Sequence, residues 1–213
     1  MSDILITSIT CIIAFFVSIY NYKKLQPRWL KIFPFVLFLW LSFQVIGHEY
    51  HEYTGKSNHF IFNLYLIPQY GFYFFFFYKA FLKSKLKLVV ICESIFFFIV
   101  YCYRIIFQHE FYTFSSFTDN IGQLLILSLC FLYLADLFMA EKFVNYFKLS
   151  LFWITTGIMT YCIGNFVYMC FLGYILKDNL DPDGDVYFII LTVVTNIQYG
   201  LFAIGFLCFE YEQ

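Results

Sequence analysis

One acidic side chain differs from the others because it lies well inside an apolar stretch. Glu93 is the only acidic residue well within such a run, in the segment 86–107. A carboxylate is costly to bury away from water, so this group is expected to have a partner, to be protonated or to face other helices. Two interpretations follow: Glu93 couples a proton or binds a substrate, or it makes a structural hydrogen bond to another helix.

A second set of candidates consists of amide side chains within the apolar stretches or beside them. They are Gln44, Asn63, Gln69, Gln123, Asn165, Asn196 and Gln198. Most are predicted to lie at the middle or in the outer half of a membrane. Convergent polar groups of this kind are typical of a pocket for a small solute. The alternative is that they hydrogen-bond packed helices to one another, at about 0.6 kcal/mol each.

Histidine and glutamate residues cluster in the sequence HEYHEY, which contains His48, His51 and Glu52. His and Glu at i and i+3 share a helical face and can bind a divalent metal. The spacing differs from HExxH, and a polar rim at the membrane interface is the competing interpretation.

An acidic cluster follows in the sequence DPDGD, which contains Asp181, Asp183 and Asp185. Oxygen-rich loops of this type suit Ca²⁺, although the EF-hand pattern is not met. A solvated acidic turn is the alternative. Apart from a divalent cation at these two clusters, the sequence indicates no cofactor.

The elements that carry these residues are predicted to be transmembrane helices. Of the 213 residues, 62% are hydrophobic and 13% are charged, whereas a soluble domain is about half apolar and about a quarter charged. Each apolar stretch can supply the roughly 20 residues that cross ~30 Å of hydrocarbon, although the first two are short. The seven predicted spans are Ile4–Tyr20, Leu30–Gly47, Phe60–Leu82, Leu86–Phe107, Ile121–Met139, Leu149–Leu172 and Val186–Phe209.

The distribution of basic residues predicts the direction of the chain. Ten of the 13 lysines and arginines lie in segments 23–31, 79–87 and 142–148. Because cytoplasmic loops carry the excess of basic residues, the N-terminus is predicted outside and the C-terminus inside. The sequence thus predicts an all-α, seven-transmembrane-helix bundle that forms a single domain, 1–213.

Two parts of the chain resemble each other. The triplet Gln-Tyr-Gly occurs at 69–71 in the third span and at 198–200 in the seventh, and Leu30–Gly47 aligns without gaps to Phe147–Gly164. This pattern indicates a 3+1+3 arrangement: parallel repeats 1–82 and 113–213, joined by a linker helix 86–107. Parallel repeats of this kind build carriers with a substrate site near the membrane midplane.

The segments FPFVLFLWLSFQ, NLYLIPQYGFYFFFFYKAF, LSLFWITTGIMTY and NIQYGLFAIGFLC carry a family resemblance. The chain resembles small seven-helix integral membrane proteins of Bacteroidota, a resemblance that implies topology and no mechanism. It is also similar, more weakly, to PQ-loop carriers through Pro68-Gln69. Those carriers normally show Pro-Gln in both repeats, whereas the second copy here reads Ile197-Gln198.

Together these features predict a multi-pass protein of the bacterial inner (plasma) membrane that binds a small solute in its helix bundle. It would act as a carrier, or as a sensor with a cytoplasmic partner. The alternative is a non-catalytic subunit or oligomeric pore component, with a membrane partner or further copies of itself. An intramembrane metalloenzyme using the histidines is a third hypothesis. The net charge of −1 gives no basic surface for nucleic acid, and nucleotide-binding loops and a GxSxG elbow are absent.

Overall fold

A computed structural model describes residues 2–108, 110–113, 116–139, 145–178, 181 and 184–208 of the chain. Within these residues the regular structure is helical, without β-strands. Three short 3-10 helices, Arg28–Ile32, Glu110–Tyr112 and Tyr146–Lys148, accompany the α-helices. The α-helices are α1 Ser2–Tyr20, α2 Phe33–Thr54, α3 His59–Ala80, α4 Ser84–Phe107, α5 Ser116–Phe138, α6 Ser150–Lys177 and α7 Asp185–Leu207.

Six of these helices, α2 to α7, are long and apolar enough to cross a membrane. In α1, the residues whose side chains are described, Ser8–Tyr20, form a shorter apolar helix. The all-helical fold class is therefore confirmed for the described residues, and the helices are compatible with a protein that crosses a membrane several times. The direction of insertion and the 3+1+3 repeat stay predictions.

The helices differ from the predicted spans mainly at their ends. Instead of one span over Leu30–Gly47, a 3-10 turn precedes α2, which continues to Thr54. Pro34 therefore lies in the first turn of α2, where a missing backbone N–H breaks no helical hydrogen bond. Helix α2 ends before Gly55, whose φ of 62° is accessible to glycine without steric cost.

Two compact units can be distinguished by their internal contacts. One comprises Met1–Phe38 with Cys130–Gln213, and the other comprises Leu39–Leu129. The unit boundaries fall inside α2 and α5, so each of these helices contributes to both units.

In the unit that contains both chain termini, α7 packs against α6 and against α1. Glycines permit the close approach of α6 and α7. A Cβ atom on Gly157 would lie 2.9 Å from the Gln198 carbonyl oxygen, and one on Gly205 would lie 3.0 Å from the Ser150 carbonyl oxygen. Small residues bring backbones together in this way in membrane helix pairs, where dispersion contacts drive association.

The unit Leu39–Leu129 has a core of aromatic rings from α2, α3 and α4. Trp40 packs edge-on against Tyr73 with 5.8 Å between ring centroids. Tyr73 lies 6.2 Å from Tyr70, and Tyr70 lies 4.5 Å from Phe97. All four side chains are buried, and none is more than 1% exposed. Such edge-on and tilted pairs add to the stabilisation given by burial of their area.

The close contact of α6 with α7 leads to a stability prediction. Gly157→Ala should lower the free energy of unfolding by about 1–3 kcal/mol, because the new Cβ meets a backbone oxygen that cannot rotate away. Thermal unfolding in detergent measures this change.

Gly200→Ala on α7 is the matched control. An added Cβ there meets nothing within 4 Å, so the substitution should be neutral or stabilising by up to about 1 kcal/mol. Equal melting temperatures for the two variants would contradict the close α6–α7 contact.

Candidate functional site

The predicted binding residues are divided between the two units. The unit with the termini contains Asn165, Asn196 and Gln198. The unit Leu39–Leu129 contains Gln44, Asn63, Gln69, Glu93 and Gln123.

In the unit with the termini, Asn196 joins α7 to α1. Its Oδ1 accepts a hydrogen bond from Thr10 Oγ1 at 2.7 Å, and its Nδ2 donates to the Thr192 carbonyl oxygen at 2.8 Å. Gln198 on α7 and Asn165 on α6 are each buried. The Asn196 amide thus makes the interhelical bond that the alternative interpretation expects.

Asn63 has a similar structural role in the unit Leu39–Leu129. Its Nδ2 donates to the carbonyl oxygens of Phe111 and Thr113, at 2.9 and 2.8 Å. The backbone carbonyl oxygen of Asn63 accepts a hydrogen bond from Tyr101 Oη at 3.2 Å. The amide therefore fixes the segment that follows α4 against α3. Of the other two amides named above, Gln69 is buried on α3 and Gln44 is partly exposed on α2.

A buried carboxyl forms the centre of a polar network on α3 and α5. Helix α5 begins at Ser116, so Asp119 lies in its first turn and is only 8% exposed. Tyr70 Oη donates to Asp119 Oδ1 at 2.6 Å, and Gln123 Nε2 donates to Asp119 Oδ2 at 2.7 Å. Two donors and the N-terminal end of a helix both stabilise the ionised carboxylate.

The local packing explains how Tyr70 reaches this carboxyl. Gly122 presents no side chain toward α3, and a Cβ there would overlap the Tyr70 ring. Phe97 of α4 holds the ring from another side. Asp119 and Gln123 lie four residues apart and share one face of α5. The network is therefore positioned by helix spacing together with one glycine.

Two acceptor atoms beside the network are left open. Gln123 is fully buried, and its Oε1 has no hydrogen-bond partner among the described residues. Asn120 Oδ1, one turn earlier on α5, is likewise buried and without a partner in the described part of the chain. Most buried polar atoms in proteins are hydrogen-bonded. These oxygens are consequently suited to accept N–H or O–H groups from a bound molecule.

Glu93 lies on a different part of the same unit. It is partly exposed on α4, and its Oε1 is 2.8 Å from Ser128 Oγ on α5. Glu93 Oε2 is buried and has no hydrogen-bond partner within the described residues. The interhelical hydrogen bond predicted as one alternative for Glu93 is therefore present.

A shallow, open depression lies on α4. It is lined by Ser94, Ile95, Phe98, Ile99 and Cys102. Its lining is almost entirely apolar and comes from one helix, and the candidate amides lie elsewhere. The candidate site is accordingly defined by hydrogen-bonding groups.

No protein-family model, no curated protein and no solved structure matches the chain. The chemistry assigned to the Tyr70–Asp119–Gln123 network therefore comes from its geometry alone.

The predicted metal ligands near the end of α2 lie at the surface. His48 is partly exposed, and His51 and Glu52 are exposed. The His51 Nδ1 atom is 2.9 Å from the Lys56 carbonyl oxygen. Across the described residues, no three His, Cys, Asp or Glu side chains lie together as a metal site would require.

In the acidic cluster, Asp181 caps the start of α7. Asp181 accepts hydrogen bonds from the backbone N–H groups of Val186 and Tyr187, each at 3.1 Å, and from Tyr168 Oη at 2.9 Å. Asp185 is the exposed first residue of α7, and Asp183 lies outside the described residues. Desolvation opposes the charge on Asp181, but the bonds from Tyr187, Val186 and Tyr168 outweigh it and hold the pKa of this carboxyl below its usual range.

Sequence reasoning missed Tyr70, Asp119 and Asn120. Asp119 precedes the span predicted to begin at Ile121, whereas α5 begins five residues earlier. The pair Asp119 and Gln123, at i and i+4, was the available signal. No sequence signal identified the Tyr70 hydroxyl, because tyrosine is common in this chain.

The network predicts a specific role for the Tyr70 hydroxyl. Tyr70→Phe should lower the free energy of unfolding by about 1–3 kcal/mol, because it deprives a buried carboxylate oxygen of its donor. Tyr78→Phe on the same helix, where the ring is 38% exposed, should have little effect. Thermal unfolding in detergent measures the stability of the two variants. Equal stabilities would refute the hydrogen bond from Tyr70 to Asp119 as a stabilising contact.

The Asp181 cap predicts a pH dependence. Because its folded-state pKa is depressed, the cap stabilises the protein above the ordinary carboxyl pKa, and this stabilisation is lost as pH falls through the folded value. Asp181→Asn retains an acceptor but no charge, so wild type should be the more stable at neutral pH and the difference should vanish in acid. Asp178→Asn, exposed at the end of α6, is the control and should leave melting curves unchanged at every pH. A difference that persists in acid would contradict the cap.

Proposed function

We propose that the chain is a multi-pass inner-membrane protein that binds a small solute through the Tyr70–Asp119–Gln123 network. It acts as a carrier, or as a membrane sensor that works with a cytoplasmic partner. The observation that carries the proposal is the pair of open acceptors, Gln123 Oε1 and Asn120 Oδ1, next to a buried carboxyl. A bound molecule that supplies donors would satisfy both.

The chemistry of the open atoms defines the solute class. Amide oxygens and a carboxylate are all acceptors, so the solute must bring N–H or O–H groups. The Tyr70 phenol and the Gln123 amide, which donate to Asp119, are neutral groups. Among solutes with such groups, a small amine fits best, since its N–H groups donate to amide and carboxylate oxygens and carry positive charge toward the carboxylate.

The predicted topology gives this site a direction. With the N-terminus outside, α5 runs inward and its first turn, with Asp119, lies toward the outer face. A solute would thus enter from outside the cell. The predicted 3+1+3 repeat and the similarity to PQ-loop carriers belong to the carrier form of the proposal.

A non-catalytic membrane subunit is the second candidate, and α4 favours it. Only 17% of the apolar window of α4 is buried, compared with 39–56% for the other five apolar windows. A helix this exposed can pack against another membrane protein or a second copy of the chain. This function predicts no solute-dependent stabilisation.

Ligand-dependent thermal stabilisation tests the proposal. Purified protein would be heated in detergent with small amines, polyols and amino acids, each at a range of concentrations. A ligand present at 100 times its Kd stabilises the folded state by about 2.7 kcal/mol. We expect an amine to raise the melting temperature of wild type and to lose this effect with Gln123→Met.

Gln198→Met is the matched control, because Gln198 is a buried glutamine of the other unit. It should keep the ligand-induced shift whatever its own stability. If the ligand-induced shift in melting temperature were abolished by Gln198→Met and retained by Gln123→Met, the binding site would not be on α5. The absence of any shift, combined with a defined oligomer on a sizing column, would favour the subunit function.

A further inference from the structure

The hydrogen bonds around Ser128 constrain the proton on Glu93. Ser128 Oγ lies 2.8 Å from Glu93 Oε1 and also 2.8 Å from the Leu125 carbonyl oxygen. A hydroxyl has one proton to donate, and a backbone carbonyl can only accept. If Ser128 donates to Leu125, the bond to Glu93 forms only when Glu93 is the donor. Both contacts are satisfied at once by a protonated Glu93.

The surroundings of Glu93 favour the same state. The residue lies about 14 Å along α4 from Ser84, well inside a helix of membrane-spanning length. Its second oxygen, Oε2, is buried without a partner among the described residues. An unpartnered carbonyl oxygen of a neutral acid is tolerated far more easily than an unpartnered anionic one. Asp119, which accepts from two donors, is in the opposite situation.

Among the described residues, no counter-ion compensates a charge on Glu93. Within the described residues of α3, α4 and α5, the polar partner of Glu93 is Ser128 alone. The neighbouring basic groups on α4 face aromatic rings: the Lys87 ammonium lies over Tyr78, and the Arg104 guanidinium lies over Phe117. The ionised form would therefore be an isolated charge.

We propose that Glu93 is a proton-binding site, a neutral carboxylic acid that donates a hydrogen bond to Ser128 and so links α4 to α5. Release of the proton to water or to a bound base leaves a carboxylate that cannot donate, and the two-bond arrangement at Ser128 is lost. Protonation thereby decides which residue donates in the α4–α5 hydrogen bond: Glu93 when it is protonated, and Ser128 when Glu93 is ionised. The site is carried by other residues than the solute-binding network, and the two proposals stand or fall separately.

Infrared spectroscopy of the full chain in detergent or lipid tests the protonation state. The C=O stretch of a protonated carboxylic acid is distinct from that of a carboxylate. At neutral pH, wild type should show this band, Glu93→Gln should lose it, and Asp119→Asn should retain it. Ser128→Ala should move the band to the position of a more weakly hydrogen-bonded acid. A wild-type spectrum at neutral pH with no band that depends on Glu93 would overturn the proposal.

A hydrophobic carbodiimide gives a second measurement on wild-type protein, which needs no variant to fold. The protonated carboxyl adds to the carbodiimide and rearranges to an N-acylurea, with no leaving group, so the modified peptide gains the whole mass of the reagent. Peptide mass spectrometry should locate the adduct at Glu93, and the yield should fall as pH rises. Glu93 adduct formation that does not fall with rising pH, or that occurs at Asp119 instead, would contradict a proton held at Glu93.

Discussion

Hydrogen-bonding groups in an apolar surrounding must find partners within the protein, because hydrocarbon offers none. Hydroxyls on the helices meet this demand locally. Ser18, Thr156 and Thr160 each donate to a carbonyl oxygen three or four residues earlier on the same helix. The amides of Asn63 and Asn196 instead reach other segments and hold them in place. Buried oxygens without a hydrogen-bond partner are therefore the informative ones. Among the described residues of Leu39–Leu129 they are Glu93 Oε2 on α4, and Asn120 Oδ1 and Gln123 Oε1 on α5.

Two carboxyls of that unit, Asp119 and Glu93, show how the same constraint yields different chemistry. Asp119 accepts bonds from Tyr70 and Gln123 at the start of a helix, where the positive end of the helix dipole also favours an anion. Glu93 shares one hydroxyl with a backbone carbonyl and lies on the least buried of the six long helices. Environment, rather than residue type, separates a carboxylate that can attract a cation from an acid that can hold a proton.

Much of the architecture followed from hydropathy, whereas the polar network did not. Apolar length predicted the seven helices within a few residues at most ends, because a helix that crosses hydrocarbon needs about 20 consecutive apolar residues, and runs of that length stand out in the sequence. The small residues on α6, Gly157 among them, were likewise recognisable as points of close approach. Depth in the membrane, however, says nothing about which way a side chain points around its helix. Depth alone defines the set of predicted amides. That set therefore includes Gln123 but not its partners Asp119 and Tyr70, and it also includes amides with a structural role, such as Asn63.

Helix α5 connects the two proposed sites, because Gln123 and Ser128 lie on it about 7.5 Å apart along its axis. An α-helix transmits displacement over this distance nearly as a rigid rod. A solute that draws Gln123 and Asp119 toward itself would shift Ser128 relative to Glu93, and proton release from Glu93 would turn the Ser128 hydroxyl from Leu125 to Glu93. Coupling between two sites requires an element with two arrangements that both ligands bias. The Ser128 hydroxyl, donating either to Leu125 or to Glu93, provides two such arrangements.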